Sequence, residues 1–160
     1  ISAMVIAVLI CMPSLCAAIQ QADTVVVIKS EHTLVLKANG RVIRQYHVVF
    51  GARPKGHKGQ QGDERTPEGR YILDYKKQDS AFYKAIHISY PNAADRRNAK
   101  AKGVNPGGDI MIHGQPNGFG WLSFILQRFN WTDGCIAVND SDMDEIWESV
   151  APGTPVTILP

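Results

Sequence analysis

The stretch from Val25 to Gly51 constrains the fold more than any other part of this chain. Val25–Lys29 (VVVIK) is rich in β-branched residues, and His32–Lys37 (HTLVLK) alternates polar and apolar. Asn39-Gly40 then supplies the strongest short hairpin signal, and Arg41–Gly51 (RVIRQYHVVFG) returns as the partner strand. A chain that opens this way is a β-meander, with His32 and His47 as side chains on its strands. Alternation resumes in Arg70–Tyr75, after the turn Thr66-Pro67-Glu68-Gly69, and strand patterns follow in Phe82–Tyr90, Asp109–His113, Cys135–Val138 and Pro155–Leu159.

Helical signals are fewer and shorter. Asn92–Lys102 has helix formers and almost no apolar face, so it reads as a short exposed helix or a loop. Trp121–Phe129 (WLSFILQRF) is helical by length, with its Trp, Leu and Phe positions expected to face a core. Asn139 and Ser141 are candidate caps of a helix through Val150, with Asp142, Asp144 and Glu145 near its positive end and Gly153 as the stop. Seven or eight strands against two or three short helices define a mostly β fold. The chain has 160 residues, no repeats and no dividing linker, which gives one domain with a sizeable core.

Hydrophobic residues make up 44% and charged residues 20%, ordinary values for a folded domain, and a net charge of +2 without a basic stripe gives no argument for nucleic acid, so no nucleic-acid partner is expected. Gly51–Gly69 (GARPKGHKGQQGDERTPEG) is a long polar loop. It is no phosphate loop, because His57 stands where Lys is required and no Ser/Thr or helix follows. Arg53, Lys55, His57, Lys58 and Arg65 are placed to contact an anion or simply to be solvated.

The N-terminal stretch carries no charge from Ile1 to Ile19, and Met4–Cys11 (MVIAVLIC) is an apolar core of signal-peptide size. Pro13-Ser14 breaks it and Cys16-Ala17-Ala18 offers small residues for cleavage. Residues 1–18 therefore read as a signal peptide or an N-terminal anchor, and residues 23–160 as the mature folded domain. The expectation is an exported protein of the periplasm or cell envelope, touching membrane only through that segment. Cys11 and Cys16 fall in the targeting segment, which leaves Cys135 as the sole thiol of the domain and excludes an internal disulfide framework.

Cys135 follows Asp133-Gly134, and His113 precedes Gly114 at the end of a strand. A thiol acts as a nucleophile when a nearby base favours its thiolate and its sulfur is accessible. Gly134 removes a side chain beside the sulfur and frees backbone N–H groups as oxyanion donors. The stretch between His113 and Cys135 is a loop plus one helix, which allows the two strands to lie parallel. A buried apolar Cys and a His satisfied in the core are the structural alternatives. A zinc site needs more ligands at close spacing than this sequence offers, and neither metal nor other cofactor is expected.

His113-Gly114 followed by Thr132-Asp133-Gly134-Cys135-Ile136 resembles the signature of the L,D-transpeptidase catalytic domain (YkuD) family, a His, a spacer, then [Ser/Thr]-His-Gly-Cys. Thr66-Pro67-Glu68-Gly69-Arg70-Tyr71 is similar to the Thr-Pro-x-Gly-x-aromatic turn upstream in that family, and the hairpin at Asn39-Gly40 fits as well. The likeness covers roughly Asp23 to Leu159 and implies a β-sandwich. Asp133 stands where many members carry a second His, and Ala137 where many carry Arg or Asn. The Asp-Gly-Cys-Ile-Ala variant is similar to a YafK-like branch that includes transpeptidases and a cell-wall hydrolase.

The resemblance implies a cysteine acyltransferase acting on peptidoglycan stem tetrapeptides. Cys135 would be the nucleophile, His113 its base and proton donor-acceptor, Gly134 the oxyanion backbone, and Asp133 a candidate orienting residue or a plain turn residue. Gly114, Thr132, Tyr90 and Arg128 are the candidate substrate contacts. D-Alanine would leave and an amine would take the acyl group, from another stem or from a murein-attached protein. Hydrolysis at the same site, as a murein peptidase or amidase, is the first rival reading. A non-catalytic peptidoglycan-binding domain with a silent Cys is the second.

Overall fold

The computed structural model describes residues 19–160. The segment expected to be a signal peptide or anchor, residues 1–18, lies outside the described residues. The opening hairpin forms as its pattern requires: β1 (Thr24–Ile28) pairs antiparallel with β2 (Thr33–Ala38), and β2 with β3 (Arg41–His47). Asn39 and Gly40 both take positive φ, 52° and 74°, the backbone of a two-residue turn whose twist matches its strands. β4 (Gly69–Lys77), β5 (Ala85–Ile88), β6 (Met111–His113), β7 (Ile136–Ala137) and β8 (Thr154–Leu159) complete the strands.

All eight lie in one mixed sheet, in the order β3-β2-β1-β8-β4-β5-β6-β7. The last strand enters the middle, parallel to β1 and antiparallel to β4. The ends of the sheet then meet. Val49, just beyond β3, exchanges two backbone hydrogen bonds with Ala137 of β7, at 3.0 and 2.9 Å. The expected sandwich is thus one curled sheet whose edges close on each other, which leaves fewer unpaired strand groups. Inside lies a core of Val25, Val27, Leu34, Leu36, Phe50, Leu73, Ile86, Ile112, Ile136 and Ile158, all at or near zero exposure. At about 25 cal/mol per Å² of apolar surface removed from water, these side chains dominate the stabilising side of folding.

Three helices flank the sheet. Helix α1 (Ala93–Lys102) forms despite its weak apolar face because its end is well capped. The Asn92 side chain accepts from the Ala94 and Asp95 N–H groups, and the Asp95 carboxylate accepts from Asn92 N–H. Helix α3 (Asp140–Ser149) buries Met143, Ile146 and Ser149 along one face. Asn139 occupies its N-cap position without a side-chain cap bond; its amide instead donates to Asp142 at 3.3 Å.

The Trp121–Phe129 expectation needs correction. That stretch is a short 3-10 turn followed by α2 (Ser123–Leu126), and Trp121, Phe124 and Phe129 are 72%, 63% and 64% exposed. One helical turn cannot present a continuous stripe to a core, and these three side chains stand on the surface.

Candidate active site

The sheet register brings the two motifs together. β6 and β7 are parallel neighbours, with Ile112 opposite Ile136 and His113 opposite Ala137. Cys135 stands immediately before β7, two residues from Ala137, so its side chain and that of His113 project to one face of the sheet. Both line one cavity of about 590 Å³, together with Lys58, Phe82, Asp109, Trp131, Thr132 and Asp133.

His113 is almost fully enclosed, at 1% exposure. Its Nδ1 donates to the Gly114 carbonyl at 2.7 Å, which fixes the tautomer and leaves Nε2 as a lone pair. That Nε2 is buried and has no protein partner among the described residues. Burial lowers the imidazole pKa from 6.5 to about 4, with the Gly114 contact acting weakly the other way. The ring is therefore neutral at pH 7, with its acceptor nitrogen free. Phe82 stacks on it with centroids 4.1 Å apart, and Trp131 sits edge-on at 5.9 Å. These two rings hold the imidazole plane and keep water from it.

Cys135 is partly buried, and its Sγ lies 3.5 Å from the Asp109 carbonyl oxygen. Burial pushes the thiol up, and the carboxylates of Asp133 and Asp109 add to that rise. The Met111 backbone contact and the Lys58 charge pull it down. At rest the pair is a neutral thiol beside a neutral imidazole, with no preformed ion pair.

The turn before Cys135 is built by Thr132 and Gly134. The Thr132 hydroxyl donates to the Cys135 carbonyl at 2.7 Å and accepts from Gly134 N–H at 3.2 Å. Gly134 has φ of +128°, and a Cβ there would lie 2.6 Å from the Arg65 carbonyl oxygen, so both backbone and space require glycine. Its N–H is engaged by Thr132 and is not a free oxyanion donor, which corrects the expectation for Gly134. Cys135 N–H makes no protein hydrogen bond among the described residues and is the available donor.

Other expected site residues fall in different places. Asp133 is exposed on the cavity rim and does not orient His113, since the Gly114 carbonyl holds that ring. Gly114 is packed so closely that a Cβ would meet Asp140 Oδ1 at 2.6 Å and the Tyr83 carbonyl at 2.8 Å; it does not line the cavity. Tyr90 is buried behind the wall, its hydroxyl donating to the Pro106 carbonyl at 2.9 Å. Arg128 is exposed and away from the cavity. Thr132 does line it.

Two residues escape sequence reasoning. Phe82 is legible only as a strand residue; it lies before the observed β5, bridges to Pro116, and stacks on His113 because β5 and β6 are neighbours. Lys58, expected to contact an anion or be solvated, is instead 3% exposed and paired with Asp63 at 2.9 Å on the wall of the cavity. Burial works to raise the Asp63 carboxyl, but the Lys58 hydrogen bond, followed by those from the N–H groups of Gly59, Gln60 and Arg65, holds it below the usual range.

The architecture around this pair defines a class: the family model described as YkuD, L,D-transpeptidase catalytic domain, matches residues 22–158. The chain belongs to the YkuD L,D-transpeptidase catalytic domain family. Among curated proteins it is similar to "Putative L,D-transpeptidase YafK" of Escherichia coli (strain K12), with 32% identity over 147 residues, 84% of this chain and 52% of that one. Among solved structures it is similar to the helical cell shape determining protein Pgp2 of Campylobacter jejuni, at TM-score 0.66 and 28% identity, covering 84% of this chain and 46% of that one. An L,D-transpeptidase from Mycobacterium smegmatis shares the fold at TM-score 0.57 and 16% identity, over 86% of this chain and 58% of that one. The chain thus spans about half the length of the curated relative it matches.

Proposed function

We propose that this chain is a cysteine-dependent L,D-transpeptidase that acts on peptidoglycan stem tetrapeptides in the cell envelope, after export directed by residues 1–18. The domain over residues 23–160 carries the chemistry. The observation that supports this most is the His113 ring: Nδ1 anchored on Gly114, Nε2 unpartnered, and Cys135 on the same face of the adjoining strand. A structural histidine would have both nitrogens satisfied.

The neutral pair dictates the order of events. As the sulfur attacks the carbonyl of the third stem residue, its proton passes to His113 Nε2 and the new C–S bond forms. Cys135 N–H donates to the developing oxyanion, a contribution of about 2.7–4 kcal/mol for one such donor. The tetrahedral intermediate collapses, the bond to D-alanine breaks, and His113 returns the proton to the departing amine. The thioester is then attacked by an amine, from another stem or from a murein-attached protein; His113 takes the amine proton and delivers it to the leaving sulfur. Phe82 and Trp131 restrict water during the thioester stage, which favours transfer over hydrolysis.

The test is intact mass spectrometry after incubation with a carbapenem, which acylates a nucleophilic thiol. The wild-type chain gains one adduct and Cys135→Ala gains none; equal adducts on both, or none on either, mean a binding domain with a silent Cys. Muropeptide products then distinguish transfer, where the acceptor amine carries the acyl group, from a peptidase or amidase, where water does.

A further inference from the structure

The loop from Gly51 to Gly69 borders more than the catalytic cavity. Gln61, Gly62 and Glu64 line that cavity, while Gln60, Gly62 and Asp63 line a second one of about 590 Å³. The loop is thus a shared wall, and Gly62 touches both spaces. The second cavity is bordered by Arg53 and Arg65 from the loop and by Lys102 from the end of α1.

The charges in it do not cancel. Asp63, its one acid, is committed to Lys58 and three backbone N–H groups. His57 is also committed: Nδ1 accepts from Glu68 N–H at 3.0 Å and Nε2 faces Asp95 at 3.0 Å. Arg53 pairs only at 3.4 Å with Glu64, which belongs to the catalytic side. The Arg65 guanidinium and the Lys102 ammonium have no acidic or hydrogen-bond partner among the described residues. Lys102 Nζ lies 3.9 Å from where a side chain on Gly59, part of the cavity wall, would begin, and Arg65 lines the same wall with its Nη1 3.6 Å from where one on Gly56, outside it, would begin. Two unpaired cations from separate elements, one cavity, and a wall held rigid by the Lys58–Asp63 pair make a site for an anion.

We propose that this second cavity is an anion-binding subsite in which Arg65 and Lys102 hold a carboxylate of a peptidoglycan stem peptide engaged at the catalytic cavity beside it. The identity of the ligand rests on the stem-peptide reading above. The site itself rests on the charges and the cavity.

The experiment measures affinity of the chain for a stem tripeptide, which has no D-alanine to release, by calorimetry at low and high NaCl. The double reversal R65E/K102E weakens binding about tenfold and flattens the salt dependence. The charge-preserving R65K/K102R keeps most of the affinity. Both positions are exposed, and an unchanged melting curve shows that the variants fold. Equal affinity in wild type and R65E/K102E overturns the subsite. In turnover assays, a raised KM for the tetrapeptide assigns it to the donor stem and a raised KM for the amine to the acceptor. Carbapenem adducts on Cys135 test the catalytic reading separately, so failure of one is told from failure of the other.

Discussion

The loop 51–69, which borders the cavity of His113 and Cys135, and the segment 119–129, which lies outside it, reverse each other's expected burial. The first is polar and glycine-rich, yet it encloses Lys58 and Thr66 almost completely. The second is apolar and aromatic, yet Trp121, Phe124 and Phe129 stand in solvent. The difference lies in partners. Each buried polar group of the loop has one: Lys58 has Asp63, and the Thr66 hydroxyl accepts from Gly51 N–H at 3.3 Å. The apolar segment meets β3 through the Gln127 carbonyl, 2.9 Å from His47 Nε2, while its Trp and Phe rings point away from that contact into solvent. Composition sets what a residue would gain by burial; the surrounding elements decide whether it is buried.

The largest expected effect breaks the loop side of this contrast. A Cβ on Gly51 would lie 2.1 Å from the Glu64 carbonyl oxygen, backbone that cannot move without undoing the Lys58–Asp63 wall. Gly51→Ala is therefore expected to cost about 3 kcal/mol or more by overpacking, read as a lowered midpoint of urea unfolding. A melting curve equal to wild type would show that the loop is loosely packed after all.

Next comes Lys58→Met, which leaves the Asp63 carboxylate without its cation in a largely enclosed place. Breaking such a pair costs about 2–4 kcal/mol, softened here by the three N–H groups on Asp63. The double variant Lys58→Met/Asp63→Leu should recover part of the loss.

A pH titration comes third. His113 has a folded pKa of about 4 against 6.5 when exposed, so below pH 6.5 the unfolded chain binds a proton that the folded chain refuses. Stability contributed by the neutral buried ring is complete above pH 6.5 and is lost as pH falls toward 4, amounting to about 3 kcal/mol. His113→Phe removes this dependence, and a wild-type curve flat from pH 7 to 4 would contradict it. On the alkaline side, iodoacetamide should label Cys135 slowly at pH 8, because burial holds the thiol protonated.

The smallest effect belongs to the apolar segment. Trp121→Ser and Phe124→Ser should each change stability by less than about 0.5 kcal/mol, since they remove little buried surface. A loss of several times that would return these side chains to a core.

Much of the fold is legible in the amino-acid sequence alone. The hairpin at Asn39-Gly40, the strand count and the helix to Ser149 follow from period and turn chemistry, which are local. The pairing of His113 with Cys135 is legible as a motif. Tyr90 and Arg128 are misplaced by sequence because a strand end or a helix pattern does not say which way its neighbours lie. Phe82 is invisible for the same reason, since its stacking partner His113 lies on another strand, whereas Lys58 is buried by the fold of its own loop around Asp63.

The sequence by itself determined a mostly β domain, a single cysteine within residues 23–160, and a Cys and His at strand ends, because each depends on residue type and near neighbours. The tertiary structure alone decided that the sheet closes through Val49 and Ala137, that Gly114 and not Asp133 orients His113, and that Gly134 N–H is engaged by Thr132. Each of these is a hydrogen-bond allocation among groups brought together by packing, and packing is set by the whole chain at once.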